Sequence, residues 1–544
     1  MTPAPGRRPT AATPTAPTTT RWIFADQLGP HFLDTPDQRV LLVESPAVLR
    51  RRRFHRQKAH LLLSALRHRA AELGEQALLV RGTTYREALA RVDGPVSVCA
   101  PTSRGADRFV RGLDGVQVLP QRGFATSREQ FAAWADGRGG RRLLMEDFYR
   151  AQRVRHGLLL DGEGVGAEPA GGRWNLDAEN REPPPRGVAT LAEAVGLPRP
   201  WRAAEDEIDE EVRADLDRME RDEGVEFLGE DGPRWVPVTR AEAVEALEHF
   251  VATRLPHFGP VEDAMLAADR TLAHSVLSPA MNLGLLDPLE AARAAEAAYR
   301  RGEAPLASVE GYIRQVVGWR EYVNGVYWWA PDDYRDRNHL DAHVDLPDWW
   351  WSLDADGEVE AACLSDVLRD LREDGWVHHI PRLMVLGGYA LQRGFDPRQL
   401  TEWFHEAFLD GYDWVMLANV VGMSQHADGG LMATKPYTAG GSYIDRMSDY
   451  CGGCPFDPRA RVGPTACPYT AGYWWFLSRN RERLAGNRRM GRVLLGLDRL
   501  RDLDAVVAQE AARGAAPPRR QVPERREVTA SQEVLLVSEQ GGIR

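Results

Sequence analysis

Residues 21–45 read RWIFADQLGPHFLDTPDQRVLLVES. Two short apolar runs, RWIFADQL and RVLLVES, flank a polar stretch, and both read as short buried strands. QALLVRG (76–82), VSVCAP (96–101) and VQVLP (116–120) repeat the pattern. Between them, HRQKAHLLLSALRHRAAEL (55–73), TTYREALARV (83–92) and SRGADRFVRGL (103–113) carry helical spacing. Such alternation predicts an α/β, Rossmann-like domain with a parallel sheet over 21–160. No GxGxxG follows the first strand, so the usual dinucleotide fingerprint is missing. Ligands of these sheets sit at the carboxyl ends of the strands. Asp26 and Gln27 stand after the first strand and Glu44 at the end of the second.

Further along, the strand signal stops. Residues 161–201 form a Gly/Pro-rich connector with an unusual island, GGRWNLDAENR (171–181). From 202 to 513, runs such as TRAEAVEALEHFVATRL (239–255), DPLEAARAAEAAYRRGE (287–303) and LASVEGYIRQVVGWREYVNGVYWWA (306–330) predict a large all-helical domain. The Pro/Thr/Ala-rich leader (1–20) and the tail (514–544) have disordered composition.

The chain has 544 residues, too many for one ordinary core. Its 43% apolar and 27% charged content is that of a globular protein. No apolar run is long enough to span a bilayer, and the leader lacks a signal peptide's apolar core. A cytoplasmic protein without membrane contact is the expectation. The net charge of −11 argues against nucleic acid, but the acidity is concentrated in 205–224. Basic clusters at 50–58 (RRRRFHRQK) and 479–492 (RNRERLAGNRRMGR) keep DNA binding open.

Of five cysteines, Cys451, Cys454 and Cys467 share one segment, CGGCPFDPRARVGPTAC, and Cys363 lies upstream. One distant Cys, a CxxC and a fourth Cys suit four-thiolate zinc or an iron–sulfur cluster. A reducing compartment disfavours the disulfide alternative. Trp is abundant, with 16 residues. Trp351 and Trp403 are among those in the helical domain, where indoles fill cores and also relay electrons. LAHSVLSPAMNLGLL (272–286) places Ser275, Ser278 and Asn282 at a helix start, where hydroxyls and amides bind phosphate. WVHHIPRLM (376–384) carries His378, His379 and Arg382. On a helix, adjacent histidines diverge by about 100°, so only one is expected to face a given ligand. The Gly-rich stretch 408–451 shows poor helical periodicity, as expected of a segment lining a site.

Together these blocks resemble the photolyase–cryptochrome superfamily, and specifically its bacterial iron–sulfur branch. GGRWNLDAENR, HSVLSPAMNLGLL, IRQVVGWREY, WVHHIPRLM, DGYDWVMLANVVGMSQHADGG, KPYTAGGSYIDRMSDYC and the four cysteines carry the resemblance over about 21–500. It implies an antenna-type N-terminal domain and a C-terminal FAD domain. Ser275, Ser278, Asn282, Gln315, Trp319, Arg320, Arg382, Asp410, Met416 and Asn419 would hold the FAD. His378, His379 and Tyr437 would form the lesion pocket, with His379 as proton donor. Cys363, Cys451, Cys454 and Cys467 would hold a [4Fe-4S] cluster. Trp403 and Trp351 would carry electrons, and Asp26, Gln27 and Glu44 would hold a 6,7-dimethyl-8-ribityllumazine antenna. The implied partner is UV-damaged DNA, the implied state a monomer, and the implied activity (6-4) photolyase or blue-light photoreceptor. Two positions depart from the family pattern. Met416 stands where relatives place a polar or acidic residue near flavin N5, and Phe404 where some carry an oxidisable residue.

Overall fold

The computed structural model describes residues 19–82, 84–162 and 166–520. Of the expected leader only 19–20 are described, and Thr20 opens the first strand. Five parallel strands follow: β1 (Thr20–Trp22), β2 (Val40–Glu44), β3 (Ala77–Arg81), β4 (Val96–Cys99) and β5 (Val116–Leu119). Their order is β3-β2-β1-β4-β5. The chain reverses its direction of travel at β1, which makes the crevice beside it the switch point of the sheet. Every residue of β2 is buried. Leu41 and Val43 pack with Trp22 and Val98 on one face. Val40 and Leu42 pack with Leu61 and Ala65 of α1 (Arg56–Leu73) on the other. Burial of both faces explains why the strand reads as an unbroken apolar run.

Helix α2 (Glu207–Glu223) lies on α1 and decides the fate of two charge runs. Arg56 pairs with Asp217 and Glu220, Arg50 with Glu223, and Arg67 with Asp215. The acidic stretch is thus the counter-charge of the basic stretch at 50–58. Beyond α2 the chain is built from helices. A rod runs from α3 (Leu306–Ile313) to α4 (Glu321–Trp329) through a π-helical turn at Arg314–Arg320. Next come α5 (Ala362–Asp374), α6 (Pro397–Ala407), α7 (Pro468–Arg479) and α8 (Leu503–Arg513). Further π-helical turns occupy Pro381–Gly387 and Ala418–Ser424.

The connector 161–201 docks on this helical half. Leu176 N–H donates to Glu310, and Asn180 donates to the Ala307 carbonyl. Of the expected tail, 514–520 are described. The Trp349 indole donates to the Ala515 carbonyl and Glu360 N–H to Pro518. No described helix is long and apolar enough to cross a membrane.

Candidate functional site

A cavity of about 630 Å³ opens in the helical half. All three π-helical turns line it: Gln315, Trp319 and Arg320 from the first, Arg382 from the second, Asn419 from the third. A π turn widens the backbone and re-aims its side chains, and such turns concentrate at functional sites. Ser275, Ser278, Asn282, Asp410, Met416, His378, His379 and Tyr437 line the same cavity. The structure therefore gathers into one space every residue expected to bind FAD or the lesion.

Asp410 organises one side of it. Its carboxylate receives both Arg382 Nη atoms at 2.8 and 3.1 Å and Ser278 Oγ at 2.6 Å. Its backbone carbonyl accepts from Asn282 Nδ2 at 3.0 Å. Ser278 is the first residue of a five-residue helix, Ser278–Asn282, and its hydroxyl is spent on Asp410 rather than on capping. Arg382 also lies over the Phe408 ring at 4.3 Å, so stacking and a bidentate pair fix its plane. From the N-terminal half, Lys58 donates to the carbonyls of His405 and Gly411, on either side of this loop. Burial pushes its pKa down to about 7, against the pull of Asp410 and Glu406. Lys58 escaped sequence reading because it sits in a basic run with no motif.

Two cavity-lining residues keep a buried polar atom without any partner: Arg320 Nε and Trp376 Nε1. Buried polar groups are nearly always satisfied. A bound dinucleotide supplies both polar edges and an apolar ring system, and the walls include Phe404, Val316 and Met423. The volume is that of a ligand site. The residues present fit FAD.

At one end of the cavity three imidazoles converge. His274 stacks on His378 with ring centroids 4.2 Å apart, and His379 meets both edge-on at 5.5 and 5.8 Å. Contrary to the helical expectation, both His378 and His379 face the cavity. The reason is local: the helix begins only at His379, ahead of Pro381, so His378 lies outside it. Burial holds His274 down to about 3 and His378 well below the usual imidazole range, so both rings are neutral near pH 7. His379 is 41% exposed, and its Nε2 lies 3.5 Å from Asp263 Oδ1. Burial alone would raise Asp263, but His379 and Arg181 outweigh it and hold the carboxyl below its ordinary value. Arg181, from the connector island, reaches Glu262 at 3.0 Å with φ at +67°, a left-handed conformation at the cavity wall. Sequence reading missed Asp263 as a site residue; nothing in GPVEDAML marks it.

A second, separate pocket is lined by Cys363, Cys451, Cys454 and Cys467 with Tyr450, Phe456 and Tyr469. Cys363 opens α5 and Cys467 precedes α7, so two helices and the intervening loop meet there. All four thiols are free. Burial, with the neighbouring thiols, raises Cys363 far above the ordinary thiol range and Cys451 to about 12. Thiols so buried are inert until a metal displaces their protons. Among the described residues no three of these sulfurs lie within 4.8 Å of one another. A single zinc, with Zn–S of about 2.3 Å, would draw them closer than that. The donor set fits a polynuclear cluster better than one ion. A Cβ on Gly441 would lie 2.7 Å from Cys467 Sγ, so this wall tolerates only glycine.

Phe404 lines the cavity, with Trp403 behind it at 5.0 Å and Trp350 beyond at 5.3 Å. Trp403 Nε1 donates to the Trp350 carbonyl at 3.2 Å. Trp350, not Trp351, makes the ring contact with Trp403; Trp351 packs at the edge of that core.

The sheet edge is arranged differently. Glu44, the last residue of β2, takes both ends of the Arg67 guanidinium at 2.8 and 2.9 Å. Thr102 Oγ1 donates to Asp26 at 2.5 Å, and Gln27 Nε2 to the Cys99 carbonyl at 3.0 Å. The residues expected to hold an antenna are each hydrogen-bonded within the protein. The two basic clusters also differ. In 50–58, Arg50, Arg52, Arg53 and Arg56 pair with carboxylates, Lys58 is buried and Arg51 is exposed. In 479–492, Arg488, Arg489 and Arg492 are exposed and have no ion pair among the described residues.

The family described as "Deoxyribodipyrimidine photo-lyase-related protein" matches residues 21–224. A "(6-4) photolyase" from Agrobacterium fabrum is 40% identical over 500 residues, covering 86% of this chain and 93% of that protein. Among solved structures, a bacterial class III photolyase from Agrobacterium tumefaciens aligns with a TM-score of 0.48 at 17% identity, over 76% of this chain and 80% of that one. A cryptochrome from Synechocystis sp. PCC6803 aligns at 0.49 and 14%, over 80% and 89%.

Proposed function

The chain belongs to the photolyase–cryptochrome family, and on that premise we propose that it is a light-dependent (6-4) photolyase acting on UV-damaged DNA. One observation carries this reading. The accessible imidazole of His379, backed by the Asp263 carboxylate, shares a cavity with the Arg382–Asp410 clamp and the unsatisfied groups that suit FAD. Members of this family bind FAD. When bound, FAD supplies a light-driven one-electron transfer to the lesion.

The chain's own residues do the rest. Arg382, Asp410, Ser278 and Asn282 set the cofactor wall. The two linked pyrimidines of the lesion, flipped out of the duplex, enter beside His379 and Tyr437. His379 delivers a proton to the lesion, stands as a neutral imidazole, and takes the proton back on product formation; Asp263 stabilises the imidazolium before the first transfer and after the second. Neutral His378 and His274 supply the ring surface behind it. Arg488, Arg489 and Arg492 contact phosphate. Of these, Arg489 is near enough to the cavity to act electrostatically on Tyr437.

A [4Fe-4S] cluster on Cys363, Cys451, Cys454 and Cys467 ties α5 to α7 and to the loop between. We assign it a structural role, and no step runs through it. A second reading, a blue-light photoreceptor without repair, is favoured by Phe404. Its ring separates the cavity from Trp403 and cannot be oxidised as readily as Tyr or Trp. The discriminating experiment is illumination of reduced, FAD-loaded protein with an oligonucleotide carrying one (6-4) photoproduct. Restored bases support the photolyase. Reversible spectral change with the lesion intact supports the photoreceptor.

A further inference from the structure

Arg382 and Asp410 are not the only arginine–carboxylate pair at the cavity. Arg320 ends the first π-helical turn, and Glu321 opens α4 directly after it. We propose that Glu321 is a positioning residue for FAD: it fixes the aim of Arg320 and sets the net charge that this arginine presents to the cofactor. The proposal rests on the reading of the cavity as a flavin site.

Arg320 lines the cavity, yet both outer nitrogens of its guanidinium are spent on the protein. Nη1 donates to Glu321 Oε1 at 2.9 Å and Nη2 to the Gly123 carbonyl at 3.2 Å. The guanidinium lies 4.3 Å from the centre of the Phe124 ring and 5.3 Å from that of Trp414, and these two rings meet edge-on at 5.0 Å. Nε is buried with no hydrogen-bond partner among the described residues. The grip on Arg320 therefore decides which edge of it remains for a ligand. Gly123 and Phe124 belong to the loop that follows β5, and Glu321 holds this loop as well. Its Oε2 accepts from Thr126 N at 2.9 Å, and the Ala125 backbone bonds to it too. One fully buried carboxylate thus fastens the end of the sheet to the cavity wall.

The same burial makes the pair's charge adjustable. It raises the Glu321 carboxyl to about 7, against the pull of Arg320. Arg320 is the charged group that acts on Glu321. The loop after β5 brings backbone N–H groups and the Thr126 hydroxyl, which donates to Gln152 of the helix Met145–His156. Asp287, ahead of the helix Pro288–Arg300, acts on Arg320. Above about pH 7 the pair is neutral. Below it Glu321 takes up a proton, keeps a carbonyl oxygen for Thr126 N–H, and leaves Arg320 a buried cation without its counter-charge. FAD carries an anionic diphosphate, so the protonated state holds it more tightly. By linkage, bound FAD favours the same proton.

The test dilutes FAD- and cluster-loaded protein in buffers from about pH 6 to about pH 8 and reads released FAD by its fluorescence. The wild-type Kd should rise on the order of tenfold across that range, the effect of one charge within about 10 Å at an effective dielectric near 20. Glu321→Gln keeps the shape of the protonated acid. It should hold FAD at the upper end as the wild type does at the lower, with a flat profile and unchanged circular dichroism. Other cavity groups are common to both proteins, so the difference isolates Glu321. A flat wild-type profile, or a variant profile that follows the wild type, overturns the proposal and leaves the flavin reading in place. Protein that holds no FAD at any pH removes that reading, and the proposal falls with it. Should Glu321→Gln not fold, Glu321→Asp replaces it. The shorter acid cannot reach both Arg320 and Thr126, so the midpoint of the profile should move, and an unmoved midpoint overturns the proposal.

Discussion

The carboxyl edge of the sheet and the cavity among the helices are both places where a ligand is expected, and they are built in opposite ways. At the edge, Glu44 is closed by Arg67, Asp26 by Thr102 and Gln27 by a backbone carbonyl. In the cavity, Arg320 and Trp376 each keep an unsatisfied buried atom. Residue type marks the potential to bind, whereas unsatisfied polar capacity marks where something must bind. The same contrast separates the two basic clusters: α2 pairs with Arg50 and Arg56 of the first, and the second keeps three arginines without an ion pair among the described residues.

The contrast breaks most severely at Asp410. Asp410→Asn removes the charged partner of the half-buried Arg382. We expect protein that purifies without FAD, read as the ratio of absorbance near 450 nm to that at 280 nm; wild-type flavin content would show that the clamp is incidental. Gly441→Ala comes next. It forces the alanine methyl against Cys467 Sγ and should strip the brown cluster absorption together with several degrees of melting temperature, whereas a fully loaded variant would refute the tight wall.

Acid provides a milder test. Burial holds His55 and His426 down to about 4, below an unfolded value near 6.5. Between these values the unfolded chain binds more protons, so their contribution to stability is present above about pH 6.5 and is lost as pH falls toward 4. Melting temperature should decline across that window, and a flat profile would mean that these rings titrate freely. The smallest effect belongs to the edge. Asp26→Asn and Gln27→Ala should leave the visible spectrum unchanged, and loss of a blue-violet band would restore the edge as a dye site.

Much of this was legible in the sequence, for reasons that differ by region. The sheet was readable because buried parallel strands leave unbroken apolar runs such as VLLVE. Ser275, Arg382 and His379 were readable because their motifs survive in order along the chain. The irregularity of 408–451 was also a true signal with a different cause. That stretch holds the helix Asp413–Leu417, a π-helical turn and the helix Gly441–Met447, and the π turn breaks the helical period. What stayed hidden depends on three-dimensional pairing. Asp263 and Lys58 carry no motif, and the pairing of Arg56 depends on an acidic helix 161–164 residues away. The pairing of His378 with His379 on one wall was hidden because the helix starts one residue later than the motif implies.

The most direct test of the account is light-dependent repair by His379→Gln, compared with wild type at matched FAD content on an oligonucleotide bearing a single (6-4) photoproduct. The geometry predicts a loss of about 10²–10⁴-fold with normal flavin binding, because the amide occupies the same accessible place but cannot deliver a proton. Repair at the wild-type rate would contradict it.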